Sequence, residues 1–449
     1  MFMSFNRREL KYQAHFGNHQ LESGYYCQLV TLLAVILTLS AHSTTANMSN
    51  AGQLSVQHEF ARKSAQFAIN LFNFMYHREP QKNIIYSPFS IQTCVAMARI
   101  GATGETAAEL DRGLGLPSSD VSVIADTFHN VLATYTNSTI LKIANKIYVM
   151  QGYEIAPKFN EIATTKFFSS ADSIDFRSNV AAANTINQWV ESQTNNLIRN
   201  LISPDALNAD TRVVLINAIH FKGEWKYQFP KQATREDNFY LNEVDSVRVP
   251  MMNVKETFGY GVIAELDAAV LEMPYKDSDL SMLVILPNSR TGLASLHEKL
   301  KSYDISEITQ RLYPTKVIVK FPKFKAEYDI ELNEALQNLG MARMFSRQAE
   351  FDHLLESNER LQVSKVVHKA FIEVNEEGTE AAAATGAIVR KKRCAMSFSE
   401  TPEFHADHPF LYSVIKRISH GANTSPFPLF LGTVNNLDAA VASEKHDEL

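Results

Sequence analysis

The apolar positions after residue 55 follow helical spacing in three places. Large apolar side chains recur three and four positions apart at the start of this region, which predicts an amphipathic helix through Phe60, Phe67, Leu71, Phe74 and Met75. A second helix is predicted from Ile91 to Arg99, with Gly101 ending it. A third is predicted over Thr185–Leu201.

Other apolar runs are rich in β-branched residues and are bounded by Gly, Pro, Asn or Asp, as strands are. These runs are Ile140–Met150, Val213–Phe221, Leu280–Leu286, Lys316–Phe321 and the short Leu429–Val434. Helices come mostly early and strands mostly late, which favours an α+β fold over a doubly wound parallel sheet. We find no repeat or linker between about Val56 and Leu437, and we interpret Gly259–Gly261 as a turn.

The composition of the 449-residue chain is that of an ordinary globular protein, with a formal net charge of −6 and no long block of like charges. Nothing in this charge pattern indicates a nucleic-acid partner. The catalytic signatures G-x-S-x-G and H-E-x-x-H and the phosphate-binding P-loop are absent. His405 and His408 have no cysteine near them, which favours a hydrogen-bonded turn over a zinc site. The sequence therefore predicts no enzyme, no metal and no cofactor.

The two ends of the chain carry targeting signals. The uncharged apolar run Leu29–Leu39 follows three basic residues and is short for a membrane span, so we predict a signal peptide and leader over residues 1–46. The alternatives are a short membrane anchor, or a leader skipped by starting at Met48. The final residues His446–Leu449 read HDEL, the address recognised by the KDEL/HDEL receptor, on a flexible tail over residues 438–449. We therefore expect residence in the endoplasmic reticulum lumen and secretory pathway, with part of the protein secreted and no stable membrane insertion.

Cysteine usage and sequons agree with a lumenal compartment. Once the signal is removed, only Cys94 and Cys394 remain, which is no disulfide framework. Asn47, Asn137 and Asn423 each begin an N-x-Ser/Thr sequon and are predicted glycosylation sites.

One segment is unusual for a folded core. A run of small residues from Glu376 to Gly386 is followed by four consecutive cations, Arg390 to Arg393. Four alanines favour a helix, but Gly378 and Gly386 bracket them and no apolar stripe would anchor such a helix. We interpret residues 376–400 as an exposed, cleavable loop joined to a flexible hinge.

The hinge sequence EEGTEAAAATG resembles that of inhibitory serpins almost residue for residue. Further motifs of that family match, in family order, at Asn83–Ser90, Gly101–Thr106, Asn217–Trp225, Val249–Met252, Pro322–Phe324, His368–Ala370 and Phe404–Phe410. On these motifs, which cover roughly residues 60 to 437, the chain is identified as a member of the serpin family.

The resemblance implies three β-sheets, about nine helices and an exposed reactive-centre loop. It implies an inhibitor that acts as a monomer: a serine protease attacks the loop, an acyl-enzyme forms, and the cleaved loop enters the central sheet as a new strand. The hinge would consist of Glu376, Glu377, Gly378, Thr379, Glu380, Ala381, Ala382, Ala383 and Ala384. Strand alternation places Thr379, Ala381 and Ala383 on the buried face and Glu380 on the other.

A second implication of the resemblance is a polar cluster beneath the central sheet, where its strands separate. The matching positions are Ser87, Ser90, Asn217 and His368. Their hydrogen bonds would hold the sheet closed until insertion.

The basic residues Arg390, Lys391, Lys392 and Arg393 fit the R-x-[KR]-R pattern of furin-like convertases, whose acidic subsites suit guanidinium groups. This pattern puts the reactive bond at Arg393–Cys394, whereas the family's usual spacing from Gly378 puts it at Lys392–Arg393. Together with HDEL, the chain resembles ER-retained serpins that inhibit proprotein convertases. A target would then be a furin-like or trypsin-like protease, held in a covalent complex.

Two alternatives remain. One is a non-inhibitory lumenal serpin that acts as a chaperone or binding protein, and the other is a processing site in a pro-protein. The stretch Ser419–Pro428 also departs from the family, which normally has a short turn there.

Overall fold

The structure is a computed structural model that describes residues 56–136, 138–357, 359–379, 401–420 and 423–437. Within these ranges it contains nine α-helices, in agreement with the predicted number. In chain order, α1 to α9 are residues 56–78, Pro88–Gly101, Gly104–Leu114, Val121–Leu132, Pro157–Phe167, Asn179–Gln193, Leu293–Leu300, Ser306–Gln310 and Asn333–Asn338. No helix in the described part of the chain is long and apolar enough to cross a membrane.

The same ranges contain sixteen strands. In chain order, β1 to β16 are Ile84–Tyr86, Leu141–Met150, Ala171–Ile174, Val213–Phe221, Gly223–Glu224, Arg235–Tyr240, Ser246–Ile263, Ala268–Pro274, Leu280–Pro287, Tyr313–Pro322, Phe324–Glu331, Val363–Val374, Gly378–Thr379, Glu403–His405, Phe410–His420 and Asn423–Val434. The α+β prediction is confirmed.

Hydrogen bonds join these strands into two networks rather than three separate sheets. The seven-stranded sheet has the order β3-β2-β4-β12-β13-β5, with β11 paired to β12. The nine-stranded sheet has the order β1-β16-β15-β9-β8-β7-β10-β14, with β6 paired to β7. The reason is β7, whose 18 residues pair with β6, β10 and β8 along successive parts of its length and so connect two of the expected sheets.

Two groups of buried side chains flank the seven-stranded sheet. The larger contains α2, α4 and most of the nine-stranded sheet, with Phe89 of α2 close to Phe128 of α4. The smaller lies on the opposite face, where α6 contributes Ile186 and Val190 and the sheet contributes Ile216 of β4 and Val367 of β12. This second core places α6 on that face of the sheet, where it contacts β2.

Most predicted elements are present, with boundaries set by local chemistry. Helix α2 begins three residues before the predicted start because Pro88 occupies its first turn and the Ser87 side chain accepts a hydrogen bond from the Ser90 N–H (3.1 Å). The predicted strand Val213–Phe221 coincides with β4.

Two of the predictions were wrong. The helix predicted over Thr185–Leu201 is α6, which begins earlier and ends at Gln193. Asn195 and Asn196 have positive φ angles of 54° and 63°, which are incompatible with a continuing helix. The predicted turn Gly259–Gly261 lies inside β7, where a Cβ on Gly261 would be 2.6 Å from the Arg311 carbonyl oxygen.

Within the stretch Ser419–Pro428, the described residues extend the antiparallel pairing of β15 with β16, in which His420 lies opposite Asn423. Phe427 anchors it, because its ring packs against Phe60 and Phe89 at centroid distances of 5.7 and 5.2 Å.

Candidate functional site

Strands β4 and β12 are direct neighbours and run parallel, and we call their boundary the β4–β12 seam. Main-chain pairing extends from Val213 opposite Val363 to His220 opposite Phe371. Asn217, the first residue of the motif Asn217–Ala-Ile-His, is therefore held against a strand from a distant part of the chain. No other strand in the described residues lies between them.

The four residues predicted to form a polar cluster meet beneath this seam. Asn217 of β4 lies opposite His368 of β12, and the His368 Nδ1–H donates to the Asn217 Oδ1. The Ser87 N–H donates to the other ring nitrogen, Nε2, over 3.2 Å. The Asn217 amide in turn donates to the Ser90 carbonyl oxygen over 2.9 Å. All four residues are fully buried.

Burial keeps the imidazole of this cluster uncharged. Desolvation lowers the pKa of His368 from 6.5 to about 3. Its Nε2 accepts a hydrogen bond from a main-chain donor, so the neutral ring must carry its proton on Nδ1. The neighbouring strands are thus linked by a neutral donor–acceptor pair and not by an ion pair.

A fifth member, Asn145 of β2, was missed by the sequence reasoning. It lies opposite Asn217 in the sheet, its Oδ1 accepts a hydrogen bond from the Asn217 amide, and the Ser90 hydroxyl is 3.5 Å away. The available signal was an uncharged polar residue inside the run Ile140–Met150, whose other polar residues are Lys142 and Lys146.

After β12 ends at Val374, the chain enters the hinge, where two acidic side chains each form an ion pair with a lysine. Glu376 forms an ion pair with Lys323 (3.0 Å) and accepts a hydrogen bond from the Thr234 hydroxyl (2.8 Å). Burial alone would raise the pKa of Glu376, but its backbone N–H, Lys323 and Thr234 outweigh that effect and the pKa is lowered. Glu377 pairs with Lys231 (2.6 Å), whose pKa is raised by that hydrogen bond.

The main chain of the hinge is equally well anchored. Asn375 closes the turn: its N–H donates to the Gly378 carbonyl oxygen (2.9 Å), and its side-chain Oδ1 accepts from the Glu377 N–H (3.0 Å). The Trp225 N–H donates to the Glu377 carbonyl oxygen (2.8 Å), and its indole N–H donates to the Asn375 carbonyl oxygen (3.0 Å). The Phe229 N–H donates to the Glu376 carbonyl oxygen (2.9 Å).

Thr379, the last described residue of the hinge, is completely buried. Its hydroxyl lies 2.9 Å from the Tyr275 hydroxyl, and the Tyr275 ring stacks on Trp225 with a centroid distance of 4.7 Å. Neither aromatic residue was predicted from the sequence.

The remaining predicted site residues lie outside the described residues. They are Glu380, Ala381, Ala382, Ala383, Ala384, Arg390, Lys391, Lys392, Arg393 and Cys394, the sequons at Asn47 and Asn137, the leader over residues 1–46 and the tail over residues 438–449. Asn423 is the first residue of β16.

The histidine pair interpreted as a turn is split between two environments. His405 ends β14, whereas His408 lies beyond it, with Nδ1 2.7 Å from Asp407 Oδ1 and Nε2 2.7 Å from the Pro287 carbonyl oxygen. Among the described residues, no group of three or more His, Cys, Asp or Glu side chains is arranged to hold a metal ion.

A family model described as Serpin (serine protease inhibitor) matches residues 62–437. Alaserpin of Manduca sexta is 38% identical over 373 residues, which cover 82% of this chain and 94% of that protein. Neuroserpin of Homo sapiens is 33% identical over 362 residues, which cover 79% and 87%. The solved structure described as cleaved serpin 42Da is 55% identical, covers 85% of this chain and 100% of that chain, and has a TM-score of 0.76.

The chain belongs to the serpin family, and the predicted serpin fold is confirmed. Members of this family are serine protease inhibitors and not catalytic enzymes, and they form covalent complexes with their target proteases.

The buried imidazole predicts a specific pH dependence of stability. Because the pKa of His368 is lowered from 6.5 to about 3 on folding, the unfolded chain binds a proton first as the pH falls. Above about pH 6.5 this group has no effect on the free energy of unfolding. Below that pH it lowers the free energy of unfolding progressively, by up to about 1.4 kcal/mol per pH unit. We expect His368→Gln to reduce this slope between pH 6 and pH 4.5, measured from denaturant midpoints.

The matched control is His353→Gln, since His353 is exposed. Its slope should equal that of the wild type. His297, whose pKa burial lowers to about 4, contributes its own slope to all three proteins and cancels in the comparison. Equal slopes for wild type and His368→Gln would contradict the assignment of His368 as a buried neutral group.

Proposed function

We propose that this chain inhibits furin-like proprotein convertases and other basic-specific serine proteases of the secretory pathway by inserting its cleaved loop into the β4–β12 seam. The observation that carries the proposal is the position of Arg390–Arg393, at the site where the family presents its bait. An R-x-[KR]-R sequence offers guanidinium groups at its first and last positions, where acidic subsites form bidentate pairs.

The energetics of insertion are sufficient for a trap. A new strand between β4 and β12 gains main-chain hydrogen bonds on both sides. If about a dozen residues each gain roughly 0.5–1.5 kcal/mol, insertion releases on the order of ten kcal/mol. Small residues after Gly378 support this route, because the entering strand must pass between packed layers.

The terminal HDEL supports an endoplasmic reticulum location, where an inhibitor would meet convertases as they mature. The second candidate, a non-inhibitory lumenal serpin acting as a chaperone, would share this location, but its function would not require the alanine-rich hinge. Formation of a covalent complex distinguishes the two.

The first test is the reactive bond. When the protein is mixed with furin, we expect a denaturant-resistant complex and release of a C-terminal peptide that begins at Cys394, because only cleavage after Arg393 puts Arg390 in the fourth position back. The measurement is gel electrophoresis together with the mass of the peptide. A peptide beginning at Arg393 would refute this frame, and no complex with any basic-specific protease would favour the chaperone alternative.

The control for this test is Arg390→Ala, which leaves the cation before either candidate bond in place. It should abolish the complex with furin and retain the complex with trypsin. Equal loss with both enzymes would show that Arg390 acts through loop conformation and not through recognition.

The second test concerns the hinge. Strand alternation puts Ala381 on the same face of the inserted strand as the buried Thr379, so Ala381→Arg should place an unpaired charge on the core face during insertion, at a cost of several kcal/mol. We expect this variant to be cleaved as a substrate without trapping. Glu380→Arg, a charge on the opposite face by strand alternation, is the control and should still trap. Unchanged trapping by Ala381→Arg would exclude the insertion mechanism.

The third test concerns location. Deleting His446–Leu449 should move most of the protein from cells into the medium, because receptor capture is lost. The fraction in each compartment is measured by immunoblotting, with HDEL replaced by four alanines as a length-matched control. Equal retention of the wild type, the deletion and the four-alanine variant would show that the receptor does not recognise the tail.

A further inference from the structure

The two residues of β13 already lie between two strands of the seven-stranded sheet. Thr379 is opposite Val374 of β12 on one side and opposite Gly223 of β5 on the other, and both pairings are antiparallel. Strand β5 directly follows β4 along the chain, and β12 is parallel to β4. A strand that continued β13 down the sheet would therefore be antiparallel to both β4 and β12.

The register of β13 also matches that of the seam. The two residues that face Thr379, Val374 and Gly223, are separated along the chain by the same 151 positions as His368 and Asn217, which face each other across the seam. A strand that continued from Thr379 would thus pair with β4 and β12 without any shift between them. In that register, position 385 would lie between His368 and Asn217.

The close approach of β13 to its neighbour is specific to glycine. A Cβ on Gly378 would lie 2.0 Å from the Gly223 carbonyl oxygen and 2.6 Å from the Glu224 Cα. Both are main-chain atoms that cannot move aside, so only glycine permits this contact. The pairing of β13 with β5 is therefore built into the sequence.

One side chain fixes the position of Thr379. The Tyr275 hydroxyl is 2.9 Å from the Thr379 hydroxyl, and Tyr275 is itself held between Trp225, stacked at 4.7 Å, and Phe221, edge-on at 4.8 Å. Insertion would leave Thr379 where it already is, so this hydrogen bond exists both before and after the sheet opens.

We propose that Tyr275 is a positioning residue for loop insertion, which holds Thr379 of β13 through the pair of hydroxyl groups in the register that the inserted strand continues. The proposal rests on the loop insertion of the proposed function. It predicts that losing the hydroxyl pair slows insertion, because β13 can then leave its place beside β5 in the uncleaved protein and must pair again before the strand extends. A contact that merely restrained the loop would have the opposite effect, since its loss would speed insertion.

The test is Tyr275→Phe, which removes one oxygen and keeps the ring stacking. With a protease that the wild type traps, insertion competes with release of the cleaved inhibitor. We expect the number of inhibitor molecules released per molecule trapped to rise about fivefold, equivalent to about 1 kcal/mol at 1.36 kcal/mol per factor of ten. The rate of initial loop cleavage should not change, because Tyr275 is buried and is not part of the basic sequence that the protease recognises.

Three controls separate positioning from general stability. Tyr412→Phe is the matched variant. Tyr412 is equally buried, but its hydroxyl has no hydrogen-bond partner among the described residues. This variant should therefore release as many inhibitor molecules per molecule trapped as the wild type. Thr379→Val should reproduce the Tyr275→Phe effect, and the double variant should add nothing. Thr379→Ser keeps the hydroxyl and should restore the wild-type ratio. Thermal denaturation of each uncleaved variant checks that it is folded.

An unchanged or lower ratio for Tyr275→Phe, or an equal rise for Tyr412→Phe, would overturn the inference while leaving trapping by the wild type intact. If the wild type traps no protease, the proposed function fails, and insertion is followed instead as the gain in thermal stability after loop cleavage. A slower gain in Tyr275→Phe than in wild type would support the inference there. Equal rates, or no gain at all, would overturn it.

Discussion

The direct pairing of β4 with β12 is the contact on which the other features of this structure depend. It brings Asn217 opposite His368 and completes a cluster to which α2 contributes Ser87 and Ser90. It also determines where the chain emerges at the end of β12, and so where the hinge begins. Opening the sheet therefore means separating two strands and, at the same time, the neutral hydrogen bond between them.

The polar cluster beneath the seam and the hinge differ in charge. Every member of the polar cluster beneath the seam is uncharged, and burial keeps the His368 imidazole neutral. At the hinge, Glu376 and Glu377 are charged and each has a lysine partner, Lys323 or Lys231. Separating a neutral donor and acceptor costs less than separating buried ions, which suits a boundary that must open, whereas paired charges suit an anchor that must hold.

Local signals predicted many of the elements and the identity of most cluster members. Strand β4 could be predicted because seven of its nine positions are apolar and polar residues bound it, and α2 because its apolar residues keep helical spacing. The end of α6 could not, because the left-handed Asn195 and Asn196 lie in a segment whose apolar residues still follow the helical period. Gly259–Gly261 of β7 was interpreted as a turn because the reason for a glycine at position 261 is not local. The main chain of Arg311, far along the sequence, lies too close to leave room for a Cβ there.

The sequence by itself determined the family, the hinge composition and the basic residues of the loop, because these reside in contiguous motifs that can be read without knowing their neighbours. Only the tertiary structure revealed that Asn145 joins the cluster, that Tyr275 and Trp225 hold the hinge, and that β13 shares the register of the seam. The side-chain hydrogen bonds among these contacts join residues at least 72 positions apart. Their partners are fixed by strand order and register, which arise from the packing of the whole domain and leave no local pattern in the chain.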